Sequence, residues 1–176
     1  MAGTGSPARA SRTIVSVRVD STCTGGQLGS NVSPRSPKLM PNNAASVPDS
    51  VVAVRPEHEV MTLQRLPYFV GISGSTVGSR GLSMHLVVIP PGAKAEPHVH
   101  IGYETGIYVL EGRVLTRWGH RLENETISEP GEFLFVPPGV PHEAENLSAT
   151  SPARAVIARN DPAEQDKVAP YHPGAA

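Results

Sequence analysis

The stretch Gly92-Ala93-Lys94-Ala95-Glu96-Pro97-His98-Val99-His100-Ile101-Gly102-Tyr103-Glu104-Thr105-Gly106 places two histidines and a carboxylate where one metal ion could gather them. Side chains on a strand alternate between faces, so His98 and His100 leave the same face, about 7 Å apart. Gly102 and Gly106 bracket Glu104, which suggests a turn that returns its carboxylate towards that face. A third histidine closes a second stretch, Gly131-Glu132-Phe133-Leu134-Phe135-Val136-Pro137-Pro138-Gly139-Val140-Pro141-His142. Pro90-Pro91-Gly92 ends one expected strand, and Pro137-Pro138-Gly139-Val140-Pro141 ends another; each turn is closely followed by histidine. Imidazole with carboxylate is a donor set for a borderline divalent transition metal. The residues alone leave a plainer alternative open, with one histidine solvated and the other packed.

Outward from this stretch the pattern is β. Val51–Val54, Pro67–Ile72, Leu82–Ile89, Phe133–Val136 and Arg154–Ala158 read as strands, the last of them closing the fold. Ile107–Leu110 and Val114–Trp118 flank Glu111-Gly112-Arg113, which reads as a hairpin. Gly71 to Gly81 reads as a flexible loop. Asp161-Pro162-Ala163-Glu164 has the capping residue, proline and acid of a short helix start. Short strands without a long helical period predict an all-β sandwich or barrel.

The two histidine stretches resemble the paired motifs of the cupin superfamily. The first motif runs glycine, five residues, His-x-His, three or four residues, Glu, six residues, glycine. Gly92, His98, His100 and Glu104 match it, while Gly112 falls one residue late, so that Thr105 stands where spacing from Gly112 would place the acid. The second motif runs glycine, five residues, Pro-x-Gly, two residues, His, three residues, Asn. Gly131, Pro137, Gly139, His142 and Asn146 match it without a gap. The resemblance covers roughly Leu82 to Arg159. It implies a double-stranded β-helix barrel, with His98, His100, Glu104 and His142 as ligands of one divalent transition metal per chain. Glu104 is retained because threonine is a poor ligand, with a small bulge expected in the strand after it. The resemblance also implies a homodimer.

Composition fits this reading. The chain has 176 residues, of which 39% are hydrophobic, with 18 Pro and 17 Gly, as a turn-rich β domain requires. A net charge of −1 gives no electrostatic case for nucleic acid or a membrane surface. A single cysteine, Cys23, excludes an internal disulfide framework and suits a reducing, cytoplasmic setting. No apolar run reaches the roughly 20 residues of a membrane span.

The first 48 residues differ. They are rich in Ser, Gly, Pro, Thr and Asn, and through Met40 they carry five basic residues and one acid. Such a segment buries too little apolar surface to offset its ordering entropy, so a disordered extension or an over-extended start is expected. A transit peptide is the alternative. Ile14–Val19 alternates and could add a strand to a sheet edge. The expected organisation is therefore an extension over 1–48, a barrel over 49–160 and a tail with a short helix over 161–176.

Among the remaining side chains, Tyr103 is the candidate active-site acid or gate, beside Glu104. His85 reads as a wall residue, and His58, His120 and His172 as surface residues. Tyr108, Trp118, Phe133 and Phe135 read as core, Arg80 and Arg117 as exposed, and Glu143 and Glu145 as supporting or solvated. The expected function is a metal-dependent enzyme on a small organic substrate. An oxidoreductase of dioxygenase type with Fe(II) comes first; an isomerase or decarboxylase with Mn, Zn, Ni or Co follows. A non-catalytic binding module for a metal or small ligand is the reading from another class.

Overall fold

A computed structural model of the chain describes residues 50–163 and 166–174. Eleven strands and one short helix follow in order: β1 (Glu59–Met61), β2 (Pro67–Ile72), α1 (Gly74–Val77), β3 (Ser83–Ile89), β4 (His98–His100), β5 (Thr105–Glu111), β6 (Val114–Trp118), β7 (Asn124–Ser128), β8 (Phe133–Val136), β9 (His142–Asn146), β10 (Ala153–Arg159) and β11 (Val168–Pro170). They form two antiparallel sheets. One has six strands in the order β1-β2-β3-β10-β5-β8, and the other five in the order β11-β4-β9-β6-β7. Among the described residues no helix is long and apolar enough to cross a membrane.

Alternation drives the larger sheet. β3 and β10 each bury every second residue, and pair in full register from Ala153–Ile89 to Arg159–Ser83. Their inward apolar side chains meet Leu66, Tyr68, Ala95 and Val114 in one core cluster. Burial of that kind, at about 25 cal/mol per Å² of apolar surface, is the main favourable term of the fold. Asn146, at the end of β9, closes one end of the barrel. Its amide donates to the carbonyls of Ile89, Pro90 and Ser151 at 3.0, 3.1 and 2.8 Å.

Several expectations are corrected. Val51–Val54 forms no strand, and Val51 is fully exposed. The loop from Gly71 contains α1, whose start is fixed by a capping box between Ser73 and Thr76. β5 and β6 are not a hairpin: they belong to different sheets, and Gly112 turns the corner between them. Its φ is +82°, and a Cβ there would lie 2.7 Å from the Ala153 Cβ, so glycine is required twice over. β10 is not the last strand, because β11 follows and pairs with β4. The expected helix falls partly on 164–165, outside the described residues; Asp161 still caps, accepting from the Ala163 N–H at 2.8 Å, but Pro162 and Ala163 form a bend. Phe133 and Phe135 are 83% and 59% exposed on the edge strand β8, not core. Ile14–Val19 and Cys23 also lie outside the described residues. The bulge expected after Glu104 is present: β5 pairs Val109 with Ala155 and Glu111 with Arg154, leaving Leu110 extra.

Candidate metal centre

β4 is three residues long and holds His98 and His100 on its inward face. It lies between β11 and β9, where Val168 pairs with His100 and His142 pairs with His98. The Pro137-Pro138-Gly139 turn is pinned to β4 by a 2.8 Å bond from the Gly139 N–H to the His100 carbonyl. This turn delivers His142 beside the other two. The ring centroids of the three histidines are 5.1, 4.3 and 4.7 Å apart, and one nitrogen of each lies within 4.8 Å of those of the others.

Each ring has its Nδ1 against an oxygen. His98 Nδ1 lies 2.8 Å from the Glu96 carbonyl, and His142 Nδ1 lies 2.9 Å from the Val140 carbonyl. A carbonyl only accepts, so these two Nδ1 atoms carry the proton and each Nε2 keeps a lone pair. His100 Nδ1 lies 2.8 Å from the Thr105 hydroxyl, a group able to accept from it or donate to it, and His100 Nε2 is buried without a hydrogen-bond partner among the described residues. Three neutral imidazoles with oriented rings and available Nε2 atoms fit a divalent transition metal.

Electrostatics keep the rings neutral. Burial, then the neighbouring His142, bring His98 down to about 3. Burial, then His142 and His98, bring His100 down to about 2. His142 is lowered chiefly by burial. Arg159 adds to the lowering of all three, which places its charge close by.

Glu104 is not brought to the histidines. It is exposed, its N–H donates to Asn160 Oδ1 at 2.9 Å, and its carboxylate faces the Asn160 amide. Thr105 takes the inward position and is 1% exposed. A one-residue step along a strand exchanges faces, and Gly112 was the signal for it. Tyr103 is buried and stacks on His100 with centroids 4.9 Å apart; burial pushes its phenol up to about 12. It is not among the residues lining the cavity beside the histidines. His85 is buried in the wall between β2 and β10. Glu143, beside His142, bonds to Lys94 and Arg117 at 2.6 and 3.3 Å, and Arg117 also holds Glu145 at 2.7 Å.

The cavity beside the histidines measures about 50 Å³. Sequence reasoning missed four polar groups on its wall: Gln64, Tyr68, Thr116 and Arg159. Arg159 ends an alternating strand on the buried phase, which is the signal that could have found it.

Two antiparallel sheets with three histidines gathered on one of them define an all-β fold with a candidate metal centre. Residues 85–158 match the family model described as a cupin domain. A germin-like protein, subfamily T member 3, of Arabidopsis thaliana is 33% identical over 84 residues, covering 46% of this chain and 37% of the relative. The fold is similar to that of Lactobacillus farciminis oxalate decarboxylase, with a TM-score of 0.54 and 16% identity over 64% of this chain and 32% of the other. It is likewise similar to the capsular polysaccharide assembling protein CapF of Staphylococcus aureus, with a TM-score of 0.51 and 20% identity over 65% of this chain and 34% of that one. The chain thus spans about a third of the length of each of these relatives. One further structure of this fold, Bacillus subtilis oxalate decarboxylase, carries Mn(II) centres.

Proposed function

We propose that the chain is a metal-dependent enzyme acting on a small organic substrate, with His98, His100 and His142 as the ligands. The observation that carries this reading is the convergence of one nitrogen from each of three buried histidines within 4.8 Å, with the Nε2 atoms of His98 and His142 left available by carbonyl partners at Nδ1. A divalent ion held there would supply Lewis-acid polarisation, and iron(II) would add dioxygen chemistry. Three protein ligands leave positions open for a chelating substrate. No Asp or Glu is among the described residues that line the cavity. Dioxygen insertion with iron(II) is the first choice, and isomerisation or decarboxylation with another divalent metal comes next. Glu104 has no place in this ligand set.

The test is metal analysis of the purified protein, then oxygen uptake with candidate substrates. About one equivalent of metal, lost in His100→Ala, is expected. A metal-loaded protein that binds small ligands but turns over none of them, with or without oxygen, would transfer the proposal to a non-catalytic binding module. A homodimer belongs to the same proposal, because β8 ends its sheet among the described residues and bears exposed Phe133 and Phe135. Sedimentation showing only monomer at micromolar concentration would remove it.

A further inference from the structure

We propose that β11 is a removable strap over the strand that carries His98 and His100. Closed, it fixes the two rings; open, it admits or releases the ion. The proposal goes beyond the metal-centre reading by naming the moving part, and rests on that reading for the ion.

β4 is held mainly by the C-terminal strand. Among the described residues it pairs with β9 at one position, His98–His142, and with β11 at three: Val168–His100, Ala169–Val99 and Pro170–His98. The ladder runs past both ends of β4. The Ile101 N–H donates to the Lys167 carbonyl at 2.8 Å, and the Tyr171 N–H donates to the Pro97 carbonyl at 2.9 Å. Bonded pairs alternate along an antiparallel ladder, so Ala169 and Val99 exchange the bonds between these two. Val168–His100 and Pro170–His98 are then the close, unbonded pairs. Residues directly opposite share a face, so Val168 and Pro170 stand beside the His100 and His98 side chains. Val168 is buried there and Pro170 is exposed, so the outer end of the strap lies at solvent.

The strap is also the least firmly held element beside these rings. The three histidines are 6%, 2% and 5% exposed, so an incoming ion needs a neighbour to give way. β9 sits inside its sheet, between β4 and β6, whereas β11 ends the sheet among the described residues and pairs with β4 alone. The strap is tied to the body by Lys167 with Asp161, and by the Tyr171 hydroxyl, which donates to the His120 carbonyl at 3.0 Å. The Lys167 side chain is 50% exposed, and the Tyr171 bond is exposed as well. Short edge elements held by solvent-exposed bonds open locally, at a lower free energy than global unfolding. Opening leaves β4 with one ladder pair and the Gly139 bond, and its two rings lose their fixed spacing. An ion that binds the closed arrangement better holds the strap shut by the same factor. Pro170 fits this device. In an unbonded pair its nitrogen faces the open edge, where the missing N–H discourages a further strand that would pin the strap shut.

The experiment follows Co(II) loading and chelator-driven release by the cobalt absorption bands, well below the melting temperature. It compares the wild type, Tyr171→Phe, and Val99→Cys combined with Ala169→Cys in a Cys23→Ser background. The Cα atoms of a bonded antiparallel pair lie about 5.5 Å apart, within disulfide range, and both side chains point away from the histidines, so oxidation locks the strap. The oxidised lock should slow loading and release at least about tenfold, and reduction should restore both. Tyr171→Phe should speed both by about two- to tenfold, the loss of one hydrogen bond. A merely structural role would speed release and leave loading alone. In the wild type, cobalt should slow hydrogen exchange of the Ile101 and Tyr171 amides at least about tenfold. Loading as fast in the oxidised lock as in the reduced one, or amide exchange indifferent to cobalt, overturns the strap and leaves the metal centre standing. If the double variant does not fold, the Tyr171→Phe rates and the wild-type exchange decide. A wild type that binds no cobalt overturns the metal centre and the strap together.

Discussion

The two motif segments differ in how they reach the same cavity. From Gly131 to Asn146 the spacing is regular, and the structure sets His142 inward and Asn146 at the barrel end. From Gly92 to Gly112 the spacing is one residue long, and the inward position after the turn passes from Glu104 to Thr105. The bulge at Leu110 lies too far along β5 to return Glu104 to the inner face. The difference teaches that one inserted residue can change the chemistry of a site without disturbing its fold. A carboxylate that would bind an ion is replaced by a hydroxyl that supports an imidazole.

The largest effect should come from the regular segment. His142→Ala is expected to lose stoichiometric metal, read by elemental analysis, while circular dichroism stays that of a β protein. Equal metal in the variant would break the claim that the second segment supplies a ligand.

Next comes pH. In the unfolded chain the histidines take up protons near 6.5, but His98 and His100 do so in the folded chain only near 3 and 2. The unfolded state therefore binds more protons below about 6.5, and stability falls with pH from there towards 3. The melting temperature of metal-free protein should drop across that window, and His100→Gln should flatten the drop.

Thr105→Val sharpens the comparison most directly. Removing the oxygen 2.8 Å from His100 Nδ1 should weaken metal binding by about 10–100-fold, measured by competition with a chelator. Asn146→Ala should cost about 1–3 kcal/mol in a denaturant melt, because three carbonyls lose a buried donor. Glu104→Ala should change metal content not at all and stability by no more than about 0.5 kcal/mol. A marked loss of metal in Glu104→Ala would reverse the assignment of the two neighbours.

Much of this was legible beforehand. Histidine spacing, paired Pro/Gly turns and strand alternation gave the all-β barrel and the convergence of His98, His100 and His142. Glu104 was misplaced because residue chemistry was weighed above the position of Gly112, which recorded the face of the strand. Glu111-Gly112-Arg113 resembled a hairpin because a positive-φ glycine serves a sheet-to-sheet corner equally well. β11 escaped notice because three residues ending in proline carry no period; its place is fixed only by pairing with β4. Phe133 and Phe135 were placed in the core on hydrophobicity alone, whereas their outward phase on an edge strand is set by tertiary pairing. Arg159 stood outside every motif, and its place on the cavity wall follows from strand pairing with Thr105, which is non-local.

The position of β10 also governs the order of assembly. It lies between β3 and β5, pairing with both, though it comes late in the chain. Until Ala153–Arg159 has left the ribosome, the inner edges of β3 and β5 have no partner, and the six-stranded sheet remains in two pieces. Its closure joins residues about seventy positions apart, a non-local step that places folding in the slow, millisecond-to-second regime of β barrels. A nascent chain stalled before Ala153 would expose two open strand edges, which are the surfaces that chaperones and aggregates compete for.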